Sequence, residues 1–241
     1  MARTVNVAEH AARRDEILNA AQRLILSEGY ERLTVQDILD DLQISKGAFY
    51  HYFDSKPTVI EALTTRLVSD SVRTLAPIVE KPGMGALEKL RAFFGKVIRW
   101  KSERQNLFVA MLPVWYAPDN LAFRLLVDRE SAERLAPLLS AIVRQGVDEG
   151  QFVTAYPDQG GPIIFAIIQA LQGAMAQRLL DFQHGSSSGV EEIVNTHGAH
   201  MEAIERYLGV PTNTLNRVNA RAVKSWIAAL HRTSTAADGK R

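Results

Sequence analysis

The chain has 241 residues, 46% of them hydrophobic and 23% charged, with a formal net charge of +1. This is the balance of an ordinary globular protein, long enough for one large domain or two small ones; it excludes a uniformly basic nucleic-acid binder but not a local basic patch. Cysteine is absent, which excludes disulfides, thiolate nucleophiles and cysteine-ligated zinc and fits a cytoplasmic protein.

The N-terminus carries Arg3, Glu9, Arg13, Arg14, Asp15 and Glu16 with no apolar stretch, so no signal peptide is expected. Ile17, Ala20, Ala21, Leu24 and Ile25 recur at helical spacing and predict a helix over 10–27 that Gly29 ends. Thr34 then caps a short helix with Asp37 three residues on, and Ile38, Leu39 and Leu42 form its apolar side. Ser45 caps a third helix near 47–52. Ser55 caps a fourth, where Pro57 is tolerated because first-turn amides have no intrahelical acceptor.

Beyond the break at Glu80-Lys81-Pro82-Gly83, a helix is expected over 84–104, with Leu87, Leu90, Phe94, Val97 and Ile98 on its apolar side. The apolar run 107–116 is cut by Pro113 and ends at Pro118, so no continuous helix is expected there. A long helix follows over 120–149, with a bend expected at Pro137. Two more span 159–181 and 189–208, joined by a linker at 184–189 that is flexible by composition. The stretch 162–176 is interrupted by Gln169 and Gln172 and falls short of the roughly 20 apolar residues that span a bilayer, so it predicts a buried helix. No strand pattern or internal repeat is present. In the tail, Val218, Ala222, Val223, Trp226, Ile227 and Leu230 share one face of a helix, a segment that could dock back on the body, join a dimer or touch a surface of negative charge, with docking the favoured reading.

Three short helices within about 45 residues suggest a helix-turn-helix, and a short third helix held by two others can protrude into a major groove. Its outer side would display Lys46, Gly47, Ala48, Tyr50 and His51. Lysine reaches guanine edges, small residues allow close approach, and tyrosine hydroxyls bond phosphate oxygens. With Thr34 and Ser45 at the helix starts and Lys56 on the fourth helix, these are the candidate DNA-binding residues.

The runs Leu33-Thr34-Val35-Gln36-Asp37-Ile38 and Ile44-Ser45-Lys46-Gly47-Ala48-Phe49-Tyr50-His51-Tyr52-Phe53-Asp54-Ser55-Lys56 resemble the signature of the TetR family of transcriptional repressors. The lead-in Arg14, Ile17, Ala20, Ala21, Leu24, Gly29 and Tyr30 does so too, and the match covers residues 12 to about 60. The resemblance implies that Lys46, Gly47 and Ala48 meet base edges, that Tyr50 and His51 touch phosphate or sugar, that Lys56 clamps the DNA backbone, and that Phe49 and Phe53 are core. Two positions depart from the family pattern. Gln43 stands where the turn usually holds glycine, and Pro57 replaces the usual acidic residue. Residues 1–60 hold seven Lys/Arg and nine Asp/Glu, so DNA affinity would depend on placement more than on total charge.

An aromatic-rich stretch is open to two readings, core or ligand cavity. Phe94, Trp100, Phe108, Met111, Trp115, Tyr116 and Phe123, with Gln169 and Gln172 as polar handles, are the candidate ligand-binding residues for a mainly apolar effector. No enzyme is expected: no glycine-rich loop follows a strand, no nucleophile elbow is present, and His197 and His200 lack a metal-site pattern. No cofactor, metal or membrane partner is implied.

The expected protein is all-α. A three-helix DNA-binding domain at 1–56 precedes a helical regulatory and dimerisation domain at 57–212 and a basic C-terminal helix and tail at 213–241. It would act as a homodimeric repressor on a palindromic double-stranded DNA operator, released by a small-molecule effector. The competing reading is an apolar-ligand binder or interaction module that has lost DNA binding.

Overall fold

Three hydroxyl side chains start helices where the sequence places them. In the computed structural model, which describes residues 7–183 and 189–238, α1 spans Val7–Glu28, α2 Val35–Leu42, α3 Lys46–Tyr50 and α4 Lys56–Val79. Thr34 Oγ1 accepts from the Asp37 amide at 3.2 Å while the Thr34 amide donates to Asp37 Oδ2 at 2.8 Å, a reciprocal cap for α2. Ser45 Oγ accepts from the Ala48 amide and Ser55 Oγ from the Thr58 amide, capping α3 and α4.

The larger helical body continues with α5 (Ala86–Glu103), α6 (Gln105–Tyr116), α7 (Leu121–Asp148), α8 (Gly160–Gln183), α9 (Val190–Leu208) and α10 (Ala220–Asp238). Single 3₁₀ turns precede α7 and α8, and no strand occurs among the described residues. Most of the expected flexible linker, residues 184–188, lies outside the described residues.

The break expected at Pro113 is absent, because α6 runs through it to Tyr116. Proline costs a helix the bond from its own missing amide. Here it sits in the last turn of α6, so the cost is one bond near the helix end, and two side chains hold that end: Asn120 Nδ2 donates to Val114 O at 2.8 Å and Arg124 Nη1 to Trp115 O at 3.4 Å.

The helix containing 162–176 is also longer and less covered than expected. Pro157–Phe182 is 26 residues with a mean hydropathy of 1.4, long and apolar enough by length and composition alone to cross a membrane. Its inner side packs on α7 and α9, and only 28% of its most apolar stretch is buried. Gly161 makes the close approach to α7 feasible: a Cβ there would sit 2.1 Å from the Ala136 carbonyl.

The buried side chains form three clusters. The first joins Ile17, Ile25, Ile38, Phe49, Phe53 and Leu63 of α1–α4 to Trp100, Leu107, Met111 and Val114 of α5 and α6. The three-helix head of α1–α3 therefore shares its core with the body. The second cluster fills the body between α5, α7, α8 and α9. The third seats α10, where Ala229 and Leu230 pack with Val109, Leu112, Ala176 and Leu179. The C-terminal helix thus docks within the subunit, as its apolar face predicts.

A buried carboxylate fixes the approach to α10. Glu205, fully buried on α9, accepts from the Asn213 and Leu215 amides and from Arg217 Nη2 at 2.6 Å. Beside it, His197 Nδ1 accepts from the Val218 amide at 3.5 Å. Burial, then the nearby Arg217 guanidinium, push the His197 imidazole down to about 4.

Candidate nucleic-acid interface and effector cluster

The turn between α2 and α3 depends on one backbone conformation. Gln43 sits in the left-handed region at φ 51°, and the Ile44 amide donates to Leu39 O at 3.1 Å to close the end of α2. The departure from glycine is accommodated by a non-glycine residue at positive φ.

From that turn α3 projects with one face fixed and one face free. Phe49 is fully buried and Phe53 nearly so, anchoring the helix in the first cluster. Thr34, Ser45, Lys46, Gly47, Ala48 and His51 are exposed, and Tyr50 retains 44% of its surface. Lys46 Nζ lies 5.9 Å from the Tyr50 ring centroid. A Cβ at Gly47 would meet nothing nearer than Ser45 Oγ at 4.0 Å, so the fold itself makes no demand for glycine there.

Lys56 is placed differently from these. Its ammonium donates to Tyr30 O at 2.8 Å, lies 3.9 Å from the Tyr30 ring centroid, and is half-buried, with desolvation holding it below the usual lysine range. Sequence reading missed His10. Because α1 begins earlier than its apolar stripe, the His10 ring reaches within 5.5 Å of His51 and 4.6 Å of Tyr52. The available signal was Asn6, a preferred N-cap residue with Glu9 three positions on.

The candidate ligand residues divide among the clusters. Phe94 belongs to the second and Tyr116 borders the third, while Trp100, Phe108, Met111, Trp115 and Phe123 gather on the first. Gln169 Nε2 donates to Asp128 O at 3.1 Å on α7, away from that group, whereas Gln172 Oε1 accepts from Lys101 Nζ at 3.0 Å.

Phe108 is the hub of this arrangement. All three tryptophans of the chain surround it, with Trp100 at 5.5 Å, Trp115 at 5.8 Å and Trp226 at 6.5 Å between ring centroids. Lys101 Nζ lies 5.9 Å from the same ring. Lysine 101 escaped the sequence reading because it is charged. Yet its position continues the stripe Phe94, Val97, Ile98 at helical spacing, and that was the available signal. Two open depressions of about 560 and 460 Å³ lie beside Glu80–Gly85 and along Arg91, Gly95 and Asn216, and neither is lined by a candidate ligand residue.

Among the described residues no group of three metal-ligating side chains is assembled. His197 is buried, and His200 Nδ1 is engaged with Thr196 O at 2.8 Å.

A capped, five-residue helix presented on a three-helix head, with a larger helical body behind it, defines a helix-turn-helix regulator. Residues 17–63 match the family described as bacterial regulatory proteins, tetR family. The chain is 23% identical over 170 residues to the transcriptional repressor DhaR of Mycobacterium sp. (strain GP1), covering 70% of this chain and 83% of that protein. It is 32% identical over 142 residues to the transcriptional regulator TcmR of Streptomyces glaucescens, covering 56% of this chain and 61% of TcmR. Its fold matches that of SmeT in complex with triclosan with a TM-score of 0.60 at 17% identity, over 87% of this chain and 97% of that one. Residues 17–63 thus carry the N-terminal segment that marks the TetR family of transcriptional regulators.

Proposed function

We propose that the protein is a repressor that binds a palindromic double-stranded DNA operator as a homodimer and leaves it when a small, mainly apolar effector binds. The observation that carries this reading is α3 itself, anchored by Phe49 and capped by Ser45 while Lys46, Gly47, Ala48 and Tyr50 stay outward. A rigid short helix with a small-residue centre suits close approach to base edges. The head has few cations to spare, since Arg23 is paired with Asp41 and Arg13 with Glu16. Nonspecific attraction is correspondingly weak, and Lys46 is left to serve readout.

The dimer reading rests on α8 and α9. Many of the large apolar residues of these two helices are used inside the subunit: Ile164, Leu171, Leu179, Ile193, Met201, Ile204 and Leu208 are all buried, and Ala176 packs toward α10. What remains outward on α8 is Pro162, Ile163, Ala166 and Ala170, with Gly173 partly open, beside Ala199 and Ala203 on α9. Small side chains at i, i+4 and i+7 on α8 (Ala166, Ala170 and Gly173) and at i and i+4 on α9 (Ala199 and Ala203) let two helix pairs approach closely as a four-helix interface.

The effector reading is supported by the aromatic group around Phe108, which packs on the core shared with the head, and by a fold match, SmeT, whose structure is a complex with triclosan. A ligand that repacks this group would bias the orientation of α1–α3. A mobility-shift assay with the DNA flanking the protein's own gene tests the function. A retained complex with a palindromic site, weakened and less sequence-selective in Lys46→Ala, is expected; no binding to any such DNA favours the DNA-independent alternative. Sedimentation at micromolar concentration should give the dimer mass, and a monomer for Ala170→Arg.

A further inference from the structure

The Phe108 cluster is apolar in body but has an unusual polar edge. Trp100 is 7% exposed, and its indole N–H has no hydrogen-bond partner among the described residues. The same is true of the buried indole N–H of Trp115. A buried donor left without an acceptor costs about 1–3 kcal/mol, and two of them flank a single phenylalanine ring.

The third polar group is the Lys101 ammonium, half-buried on α5. Its hydrogen-bond acceptor is the neutral Gln172 side chain, and among the described residues no carboxylate forms an ion pair with it. Desolvation alone pushes it down to about 8. The neighbouring cation is different: Arg104 stacks at 4.8 Å on Trp100 and pairs with Glu103 at 3.6 Å. The cluster thus offers one unneutralised cation and two idle N–H donors, and its polar edge reaches the surface through the exposed Gln172.

We infer that the effector is an apolar carboxylic acid, whose carboxylate is taken by Lys101 and the indole N–H groups of Trp100 and Trp115 while its hydrocarbon body packs against Phe108 and Trp226. This rests on the effector reading above and narrows it to a chemical class. A carboxylate brings about four acceptor sites and a negative charge, the complement of a lining made of donors and a cation. An amine would meet repulsion from Lys101, and a neutral hydrocarbon would leave the indole donors idle.

Because all three tryptophans lie in the cluster, their emission reports binding directly in the full-length protein. Titration with 4-phenylbutyrate and decanoate, each against its neutral amide, should show saturable change with the acids favoured tenfold or more. Lys101→Met should abolish that preference, Lys101→Arg should restore most of it, and Trp115→Phe should weaken acid binding several-fold. Amides binding as well as acids, an undiminished preference in Lys101→Met, or no binding by either acid at millimolar concentration overturns the inference. A mobility-shift assay separates it from the function it rests on. Acids that bind the cluster without releasing DNA leave the carboxylate site intact and refute the effector role. Release by the amides, equally in wild type and Lys101→Met, does the reverse.

Discussion

Lys56 Nζ donates to the Tyr30 carbonyl at 2.8 Å and lies 3.9 Å from the centroid of the same residue's ring. The first residue of α4 is thereby tied to the turn that follows α1, so that its charge serves the shape of the head as well as any DNA backbone near it. A hydrogen bond from a charged donor contributes about 1.5–3 kcal/mol, less where solvent competes. Lys56→Ala should therefore lower the urea midpoint by an amount equivalent to roughly 1–2 kcal/mol and weaken all DNA sequences about equally. Lys46→Ala should leave the urea midpoint unchanged and flatten base preference at one operator position per half-site, at a cost of about 1–3 kcal/mol. Paired urea melts and operator-mismatch titrations read both effects; a changed mismatch profile in Lys56→Ala alone would reverse the assignment.

Gly47 separates the demands of folding from those of recognition. With open space around its Cβ position, Gly47→Ala should keep or raise stability, by up to about 1 kcal/mol from helix propensity. Operator affinity should fall, because the added methyl stands on the face proposed to approach the bases. Equal operator affinity with unchanged melting would show that nothing closes on this face.

Gln43 holds a left-handed conformation that costs an ordinary residue about 1–2 kcal/mol. Gln43→Gly removes that cost but widens the unfolded ensemble. The net expectation is a gain of about 0.5–1 kcal/mol in chemical denaturation, with operator affinity unaltered. A loss of stability would mean the Gln43 side chain contributes a contact that outweighs its backbone cost.

His197 gives the fold an acid limit. Its folded pKa of about 4 lies below the ordinary value of 6.5, so between these pH values the unfolded chain binds more protons than the folded one. Stability then rises with pH across this window, is fully present above pH 6.5, and is lost as pH falls toward 4. The full span is on the order of 3 kcal/mol. Protonation also removes the acceptor for the Val218 amide. Denaturation curves between pH 7 and 4 should show this slope, and His197→Gln should flatten it.

Removal of everything after residue 212 should cost more than a tail ordinarily would. It uncovers Val109, Leu112 and Leu179 and strips buried Glu205 of the Asn213 and Leu215 amides and of Arg217. Breaking a buried charge pair from one side costs about 3–5 kcal/mol. A markedly lower Tm is expected, and Glu205→Gln should reproduce part of the drop. Unchanged melting with altered DNA affinity would instead assign the segment to phosphate contact.

How much the sequence could tell depended on whether the determinant was local. Thr34, Ser45 and Ser55 each act on an amide three residues away, so their caps were readable from spacing alone. The apolar side of the C-terminal helix was equally plain. Pro113 misled because it falls in the last turn of α6, whose end is held by Asn120 and Arg124 only once the chain has turned. Lys101 and Lys56 were harder still, since a lysine's usual place is water and their partners, Gln172 and Tyr30, lie on other elements. The outward stripe of α8 could not be told from its inward one, because both are apolar.

The core that runs from Phe49 through Trp100, Leu107 and Met111 has a bearing on head-swapping. Chimeric regulators are made by joining one protein's DNA-reading segment to another's sensing segment, which presumes a seam of few contacts. Here a cut at residue 56 passes through packed side chains, and the grafted head would meet foreign residues along α6. A transplant that keeps this protein's readout must carry α6 and the end of α5 along with α1–α4, or redesign both walls together. The recognition helix is portable only with the wall it leans on.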